Sequence, residues 1–280
     1  LKSLADGNYI VMVSAIDVAG NRTTPITGNG TVFTFTVDAT PPAVPVVGLA
    51  SVSDSGVLGD LITNNTLPTI TGTAEANSAI TLVINDLVYT TTANGVGAWT
   101  VNLATALPRG GNAIMAALTD GKYEVSVTAT DSFGNTSQPG IMNLVVDITA
   151  PIAPTITSPV VTRDTTPLIF GTAEINSLVT VVVTQRFNSS TISGPATFEV
   201  HADARGAWSL DLETAVATSG SIHVFANNGE NYLVNANAKD AAGNQNNGAI
   251  GTQTLAFDRD TPEVVSASLT NQSFPILSGK

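Results

Sequence analysis

The chain has 280 residues, 43 % apolar and only 11 % charged, with ten Lys and Arg against 22 Asp and Glu for a net charge of −12. So acidic a chain offers no basic surface to nucleic-acid phosphates or to an anionic membrane, and its balance suits a protein that takes positive charge from solution as divalent cations. It has no cysteine, hence no disulfide framework and no cysteine-based zinc site, and no apolar run approaches the roughly 20 residues needed to cross a bilayer.

In chain order, residues 1–9 carry no signal-peptide pattern and read as the middle of a domain, so we read the chain as a section of a longer protein. Residues 1–38 are expected to be the last two strands of a preceding domain, opened by Asp6-Gly7-Asn8-Tyr9 and closed by Asp38. Residues 39–147 read as one complete domain of short strands separated by turn clusters at Asn85-Asp86, Ala93-Asn94-Gly95 and Phe133-Gly134-Asn135. Within it Tyr123, Val125, Val127 and Ala129 alternate with Glu124, Ser126, Thr128 and Thr130, a period of two with one buried face. Residues 148–258 read as a second complete domain, in which Tyr232, Val234, Ala236 and Ala238 alternate in the same way. The stretch Gln185 to Glu199 lengthens one of its hairpins and reads as a surface extension. Residues 259–280 are expected to open a following domain. The joints at Pro41-Pro42 and Pro151 are short, and proline stiffens them.

Four sequence blocks recur in a fixed order at a spacing of about 110 residues. Asp120-Gly121-Lys122-Tyr123 leads to Asp131 and Asn135. The same block leads from Tyr9 to Asp17 and Asn21, and from Tyr232 to Asp240 and Asn244, with the Asp eight residues after the Tyr each time. Gly72-Thr73-Ala74-Glu75 returns as Gly171-Thr172-Ala173-Glu174, and Gly97-Ala98-Trp99 as Gly206-Ala207-Trp208. Asp38, Asp147 and Asp258 each stand just before a proline that closes the unit. That spacing exceeds the ~20–50 residues of a solenoid repeat and fits one β-sandwich of ~100 residues. The fold class is therefore all-β, tandem seven-stranded immunoglobulin-like β-sandwiches arranged as an extended rod. The Asp-Gly-x-Tyr lead-in to the sixth strand marks a tyrosine corner, in which the hydroxyl bonds back to the backbone. An antiparallel sandwich then places Glu75, Asn94, Asp131 and Asn135 at the N-terminal end of the domain, and Asp54, Asp60, Asp120 and Asp147 at the other.

The motifs Pro68-Thr69-Ile70-Thr71-Gly72-Thr73-Ala74-Glu75, Gly97-Ala98-Trp99, Asp131-Ser132-Phe133-Gly134-Asn135 and Asp147-Ile148-Thr149-Ala150-Pro151, with the Asp54 to Asn65 stretch, resemble bacterial Ig-like repeats of giant type I-secreted calcium-binding adhesins. The resemblance covers essentially the whole chain. It implies non-catalytic stalk domains, secreted or held at the bacterial cell surface, that bind Ca2+ and present a distal binding tip. The implied partners are neighbouring Ig-like domains of the same chain and, through the full-length adhesin, a host cell-surface receptor or glycan, with the chain itself a monomer and no membrane insertion.

Carboxylates collected at domain ends without Lys or Arg repel one another, and a dication taking six to eight oxygens relieves that conflict. The expected ligand sets are Asp38, Glu75 and Asp131 at one junction and Asp147, Glu174 and Asp240 at the next, with Asp17 and Asp258 as the matching repeat positions. Asp54 and Asp60 form a separate expected site in the first complete domain only, because the corresponding loop of the second, Ser158 to Asp164, carries Arg163 instead. Against this, Asp131 and Asp240 are also suited to capping their own turns, and Asp6 and Asp120 read as turn residues. Trp99 and Trp208 follow Gly-Ala inside a strand pattern and read as core, and His201 and His223 are unmatched between the repeats. No nucleophile–base pair, phosphate loop or acid–base carboxylate pair stands out, so catalysis is not expected. The competing reading is a glycan- or receptor-binding Ig-like module near the adhesin tip, which needs an exposed aromatic cluster.

Overall fold

The computed structural model of the chain describes residues 3–22, 32–246 and 250–260, together with the backbone of two short strands beyond them. It divides into two compact units, Leu1–Ile148 and Thr149–Lys280. No helix occurs among the described residues, and the elements are strands joined by turns.

In the first unit, β1 (Gly7–Met12) and β2 (Val32–Val37) pair antiparallel, with Tyr9 opposite Phe35. The next eight strands are β3 (Val46–Leu49), β4 (Ile62–Thr63), β5 (Thr69–Thr73), β6 (Ala79–Ile84), β7 (Leu87–Thr92), β8 (Ala98–Asn102), β9 (Gly121–Thr130) and β10 (Gly140–Val146). They form two sheets, ordered β3-β5-β8 and β4-β10-β9-β6-β7. The first strand of the sandwich is thus split. Its first half, β3, runs antiparallel to β5, and its second half, β4, crosses to the other sheet and lies parallel to β10. Ile80, Leu82 and Ile84 of β6 and Val125, Val127 and Ala129 of β9 point inward on alternate positions, facing Ile70, Trp99 and Val101 of the other sheet. Each buried Val, Leu or Ile among them contributes about 1.5–3 kcal/mol by leaving water.

The second unit repeats the plan with β11 (Thr155–Ile156), β12 (Val161–Thr162), β13 (Leu168–Thr172), β14 (Leu178–Phe187), β15 (Ser190–Thr191), β16 (Ala196–His201), β17 (Ala207–Asp211), β18 (Glu230–Lys239) and β19 (Gly251–Phe257). The sheets are β11-β13-β17 and β12-β19-β18-β14-β15, with β16 also paired to β14. Phe225 stacks on Tyr232 and Phe257 in its core, with ring centroids 3.9 and 4.9 Å apart. The Gln185 to Glu199 stretch is more than an appendage. It lengthens β14 to ten residues, and Asn188 and Ser189, both at positive φ, turn the chain back into β15. The expected opening of a further domain after Asp260 lies outside the described residues, apart from the backbone of β20 (Val264–Val265) and β21 (Ser278–Gly279), which pair with each other.

Hydrogen bonds bear out the expected division of loops between the two ends. At one end Asn77 N bonds to Ala93 O, next to the paired residues Ala79 and Thr130. At the other, Leu118 N bonds to Thr66 O and Asp147 N to Thr63 O. The tyrosine corner recurs. Tyr9 donates to Ala5 O at 2.7 Å and Tyr123 to Thr119 O at 3.0 Å, each four residues back. Tyr232 donates to His223 O at 2.6 Å across a longer loop.

Candidate functional site: linker clasps and carboxylate loops

The repeated Asp-x-x-Gly-Asn loop after the sixth strand closes on itself. Asp131 Oδ1 accepts from Phe133 N at 2.8 Å and Asn135 N at 2.9 Å, and its Oδ2 accepts from the Asn135 amide at 2.8 Å. Asp17 does the same with Ala19 N, Asn21 N and the Asn21 amide. Asp240 takes Asn244 N at 2.8 Å and the Asn244 amide at 2.9 Å. The glycine sits at positive φ in each loop, at Gly20, Gly134 and Gly243, which lets the chain turn back under the carboxylate. Desolvation pushes the Asp131 carboxyl up, but the Asn135 amide and the backbone N–H groups outweigh it and hold the group below the ordinary carboxylate range.

The Asn of this loop also reaches the incoming linker. Asn135 Nδ2 donates to Asp38 O at 3.0 Å, and in the second unit Asn244 Nδ2 donates to Thr149 O at 3.5 Å. From the opposite end of a domain, the residue before the tyrosine-corner glycine takes hold of the outgoing linker. Asp6 accepts from Ala39 N at 2.7 Å and from the Thr40 hydroxyl, Asp120 accepts from Ile148 N at 2.5 Å, and Asn228 accepts from Arg259 N at 2.9 Å. Ala39, Ile148 and Arg259 each follow the closing Asp of their unit directly, so one interaction is repeated three times. The Thr40 hydroxyl and Ala39 N–H hold the Asp6 carboxyl below its ordinary value. Residues 38–40 are therefore held from both sides, by Asp6 and by Asn135. Sequence reading gave Asp6 and Asp120 to turns and left the asparagine amides out of the site. The signal was present in the fixed Asp-to-Asn spacing.

The expected metal ligands divide into two groups. Asp131, Asp240 and Asp17 have both oxygens engaged in their own loops, and Asp38 and Asp258 each cap the backbone two residues on, at Thr40 N and Asp260 N. Glu75 is exposed beside a shallow groove, Glu174 is half-buried, and Asp147 belongs to the first unit whereas Glu174 and Asp240 belong to the second. Among the described residues no three Asp, Glu or His side chains are grouped to hold a metal ion. The loop between β3 and β4 differs. There Asp54 Oδ2 accepts from Gly59 N at 2.6 Å and Asp60 Oδ1 from Ile62 N at 2.9 Å, but Asp54 Oδ1 is buried with no hydrogen-bond partner. A buried carboxylate oxygen without a donor is costly, and a hard cation with an oxygen shell fits that donor set. The second unit has no counterpart: Asp164 there accepts from Thr166 N at 3.0 Å in an ordinary turn.

A further carboxylate escaped the sequence reading. Glu230, only 4 % exposed, accepts from Ala226 N at 2.9 Å, the Asn227 amide at 2.8 Å and the Gln185 amide at 3.1 Å. Burial raises its pKa, the three donors lower it more, and the net position is below the ordinary glutamate value. It ties the lengthened β14 to the loop that carries the tyrosine corner. Trp99 and Trp208 are both 3 % exposed, in the core as expected.

Two sheets face to face, a tyrosine corner and a split first strand define each unit as an immunoglobulin-like β-sandwich. A model described as bacterial Ig-like domain matches residues 40–148, and one described as bacterial Ig-like domain (group 3) matches residues 114–258. The chain belongs to the bacterial Ig-like domain family. No curated protein matches it. Similar solved structures include a 1.5-MDa bacterial ice-binding adhesin studied for host cell surface retention, 21 % identical over 91 % of this chain and 76 % of that one, with a TM-score of 0.38. A Ca2+-stabilized adhesin with which an Antarctic bacterium binds ice is 20 % identical over 93 % of this chain and 60 % of that one, TM-score 0.34. The fibronectin(III)-like modules of Clostridium thermocellum CbhA are 10 % identical over 76 % of this chain and 95 % of that one, TM-score 0.38.

Proposed function

We propose that the chain is a non-catalytic spacer from a bacterial surface adhesin, a row of sandwich domains that carries a binding tip away from the cell and is stiffened by calcium. One observation carries this reading. The segments between repeats are gripped at fixed backbone positions, Ala39, Ile148 and Arg259, by Asp6, Asp120 and Asn228, and again from the next repeat by Asn135 and Asn244. A tether needs no such grip, whereas a spacer that transmits position along its length does. The proline joints act in the same direction.

In this proposal calcium binds first in the loop between β3 and β4. Asp54 and Asp60 would hold it with loop carbonyls and water, and it would supply the positive charge that Asp54 Oδ1 lacks. Asp38, Glu75 and Asp131, all of the first unit, would take part only through lone pairs that their loop bonds leave over. The neighbour described as Ca2+-stabilized agrees with this role.

The test is small-angle scattering and thermal melting of the whole chain, first with millimolar calcium and then with excess EDTA. Chelation is expected to shorten or broaden the distance distribution and to lower Tm. Identical scattering and identical melting in the two buffers would remove calcium from the proposal. Full flexibility in an Asp6→Ala, Asn135→Ala double variant, against a stiff parent, would establish the clasps as its mechanical basis.

A further inference from the structure

On the outer face of the second unit, Phe170 of β13, Ala207 and Ser209 of β17, His201 at the end of β16 and Asp203 just beyond it line an open groove of about 410 Å3. We propose that this groove is a binding site for a neutral sugar ring. The apolar face of the sugar would lie on Phe170, and its hydroxyls would bond to Asp203 and His201.

Strand β13 alternates exposed and buried, and Phe170 is on the exposed side, 36 % accessible, where a solvated sheet face ordinarily carries a polar residue. Its cross-strand partner is Ser209, and the neighbouring outward residue of β17 is Ala207, so small side chains leave the ring open. Asp203 Oδ1 accepts from Arg205 N and Ala207 N at 2.8 and 2.9 Å, while its Oδ2 accepts no hydrogen bond. The His201 ring is exposed and makes no hydrogen bond either.

The first unit supplies an internal control, because the same scaffold there carries other residues. Phe170 is matched by Thr71, His201 by Thr92 and Asp203 by Asn94. Thr71 satisfies its hydroxyl on Trp99 O, and Asn94 Oδ1 caps Val96 N and Ala98 N just as Asp203 caps its own turn. The sandwich therefore needs neither the aromatic ring nor the second carboxylate oxygen. In the second unit an exposed ring, an imidazole and a carboxylate oxygen free of hydrogen bonds, with the Arg205 cation near that carboxylate, stand together on one groove. Such a set fits a ligand with a CH face and adjacent hydroxyls, since an aromatic face takes the apolar side and the polar groups fix orientation. The carboxylate repels anionic sugars, and a purely apolar peptide would bury Asp203 Oδ2 without a donor.

The whole 280-residue chain is mixed with methyl β-glucoside, methyl β-galactoside or N-acetylglucosamine and observed by saturation-transfer NMR, with the His201 ring signals followed in titrations. At least one sugar is expected to show transfer to its CH protons and to shift the His201 signals, with a Kd on the order of millimolar. Phe170→Thr and Asp203→Asn install the residues the first unit carries, so both should fold. Each is expected to weaken binding at least tenfold, and His201→Thr several-fold. EDTA should leave the signal unchanged. No transfer from any of the three sugars, equal transfer with Phe170→Thr, or tighter binding of a sialylated sugar or an apolar peptide would each overturn the proposal.

Discussion

A single side-chain amide does two jobs in each of the two complete repeats. Asn135 Nδ2 closes the loop on Asp131 and at the same time holds Asp38 O in the linker. Removing it in Asn135→Ala loses two hydrogen bonds, each with a net worth of about 0.5–1.5 kcal/mol, so a loss of about 1–3 kcal/mol in denaturant unfolding is expected. The same variant should raise the Asp131 pKa toward its ordinary value, because the amide is the largest of the interactions holding it down. Carboxyl NMR titration reads that directly. Glu230 makes the second unit sensitive to acid. Its folded pKa is depressed, so its contribution is complete above the unfolded value of about 4.3 and is lost as pH falls through the folded value. Stability measured by denaturant unfolding should therefore begin to fall below about pH 4.3 in the parent, and Glu230→Ala should be less stable at neutral pH and lack that part of the pH dependence. At neutral pH that variant strands the buried Gln185 amide and leaves the part-buried donors of Ala226 and Asn227 to water, at a cost of about 1–3 kcal/mol. The Asp-to-Asn spacing made Asp131 legible as a functional or capping residue. What it did not reveal was that the cap and the clasp are the same group, because that depends on where Asp38 arrives in space.

Among the elements, the inner strands were legible and the first strand was not. β6 and β9 alternate over their whole length, and alternation fixes which face is buried. β4 and β12 are two residues each and sit after a loop, too short to carry a period, so the crossing of the first strand between sheets left no trace in the pattern. Glycine explains how β11 can approach β13 closely beside a tryptophan. A Cβ on Gly171 would stand 1.9 Å from Thr155 O and 2.9 Å from the Trp208 ring, and Gly72 makes the same approach to Val46 O and Trp99. The backbone oxygen cannot yield without displacing the strand. Gly171→Ala is therefore expected to lose about 3 kcal/mol or more and to release β11, read as loss of amide protection at Thr157, whose N–H bonds to Phe170 O. Native protection in that variant would show that the strand pair is looser than its geometry.

For the whole molecule, the two units share a scaffold but differ in the loop that could take a cation. The first has Asp54 and Asp60 with one buried oxygen lacking a donor, and the second has Arg163 and a self-satisfied Asp164. If calcium acts through that loop, its stabilisation must be one-sided. Two units with separate cores should melt in two transitions, and Leu82→Ala, which empties a site in the first core at a cost of about 2.7–5 kcal/mol, identifies which transition is which. Calcium at a hundredfold excess over its Kd adds about 2.7 kcal/mol to the unit that binds it. The transition moved by Leu82→Ala should then rise by several degrees with calcium while the other stays within a degree. Asp54→Asn should abolish the rise without lowering the calcium-free transition, since the amide oxygen can still accept from Gly59 N while the buried oxygen that has no donor is replaced. Equal shifts in both transitions would instead place the ion at sites common to the two repeats, the Asp131 and Asp240 loops, and would reverse the order of sites argued from the buried oxygen of Asp54.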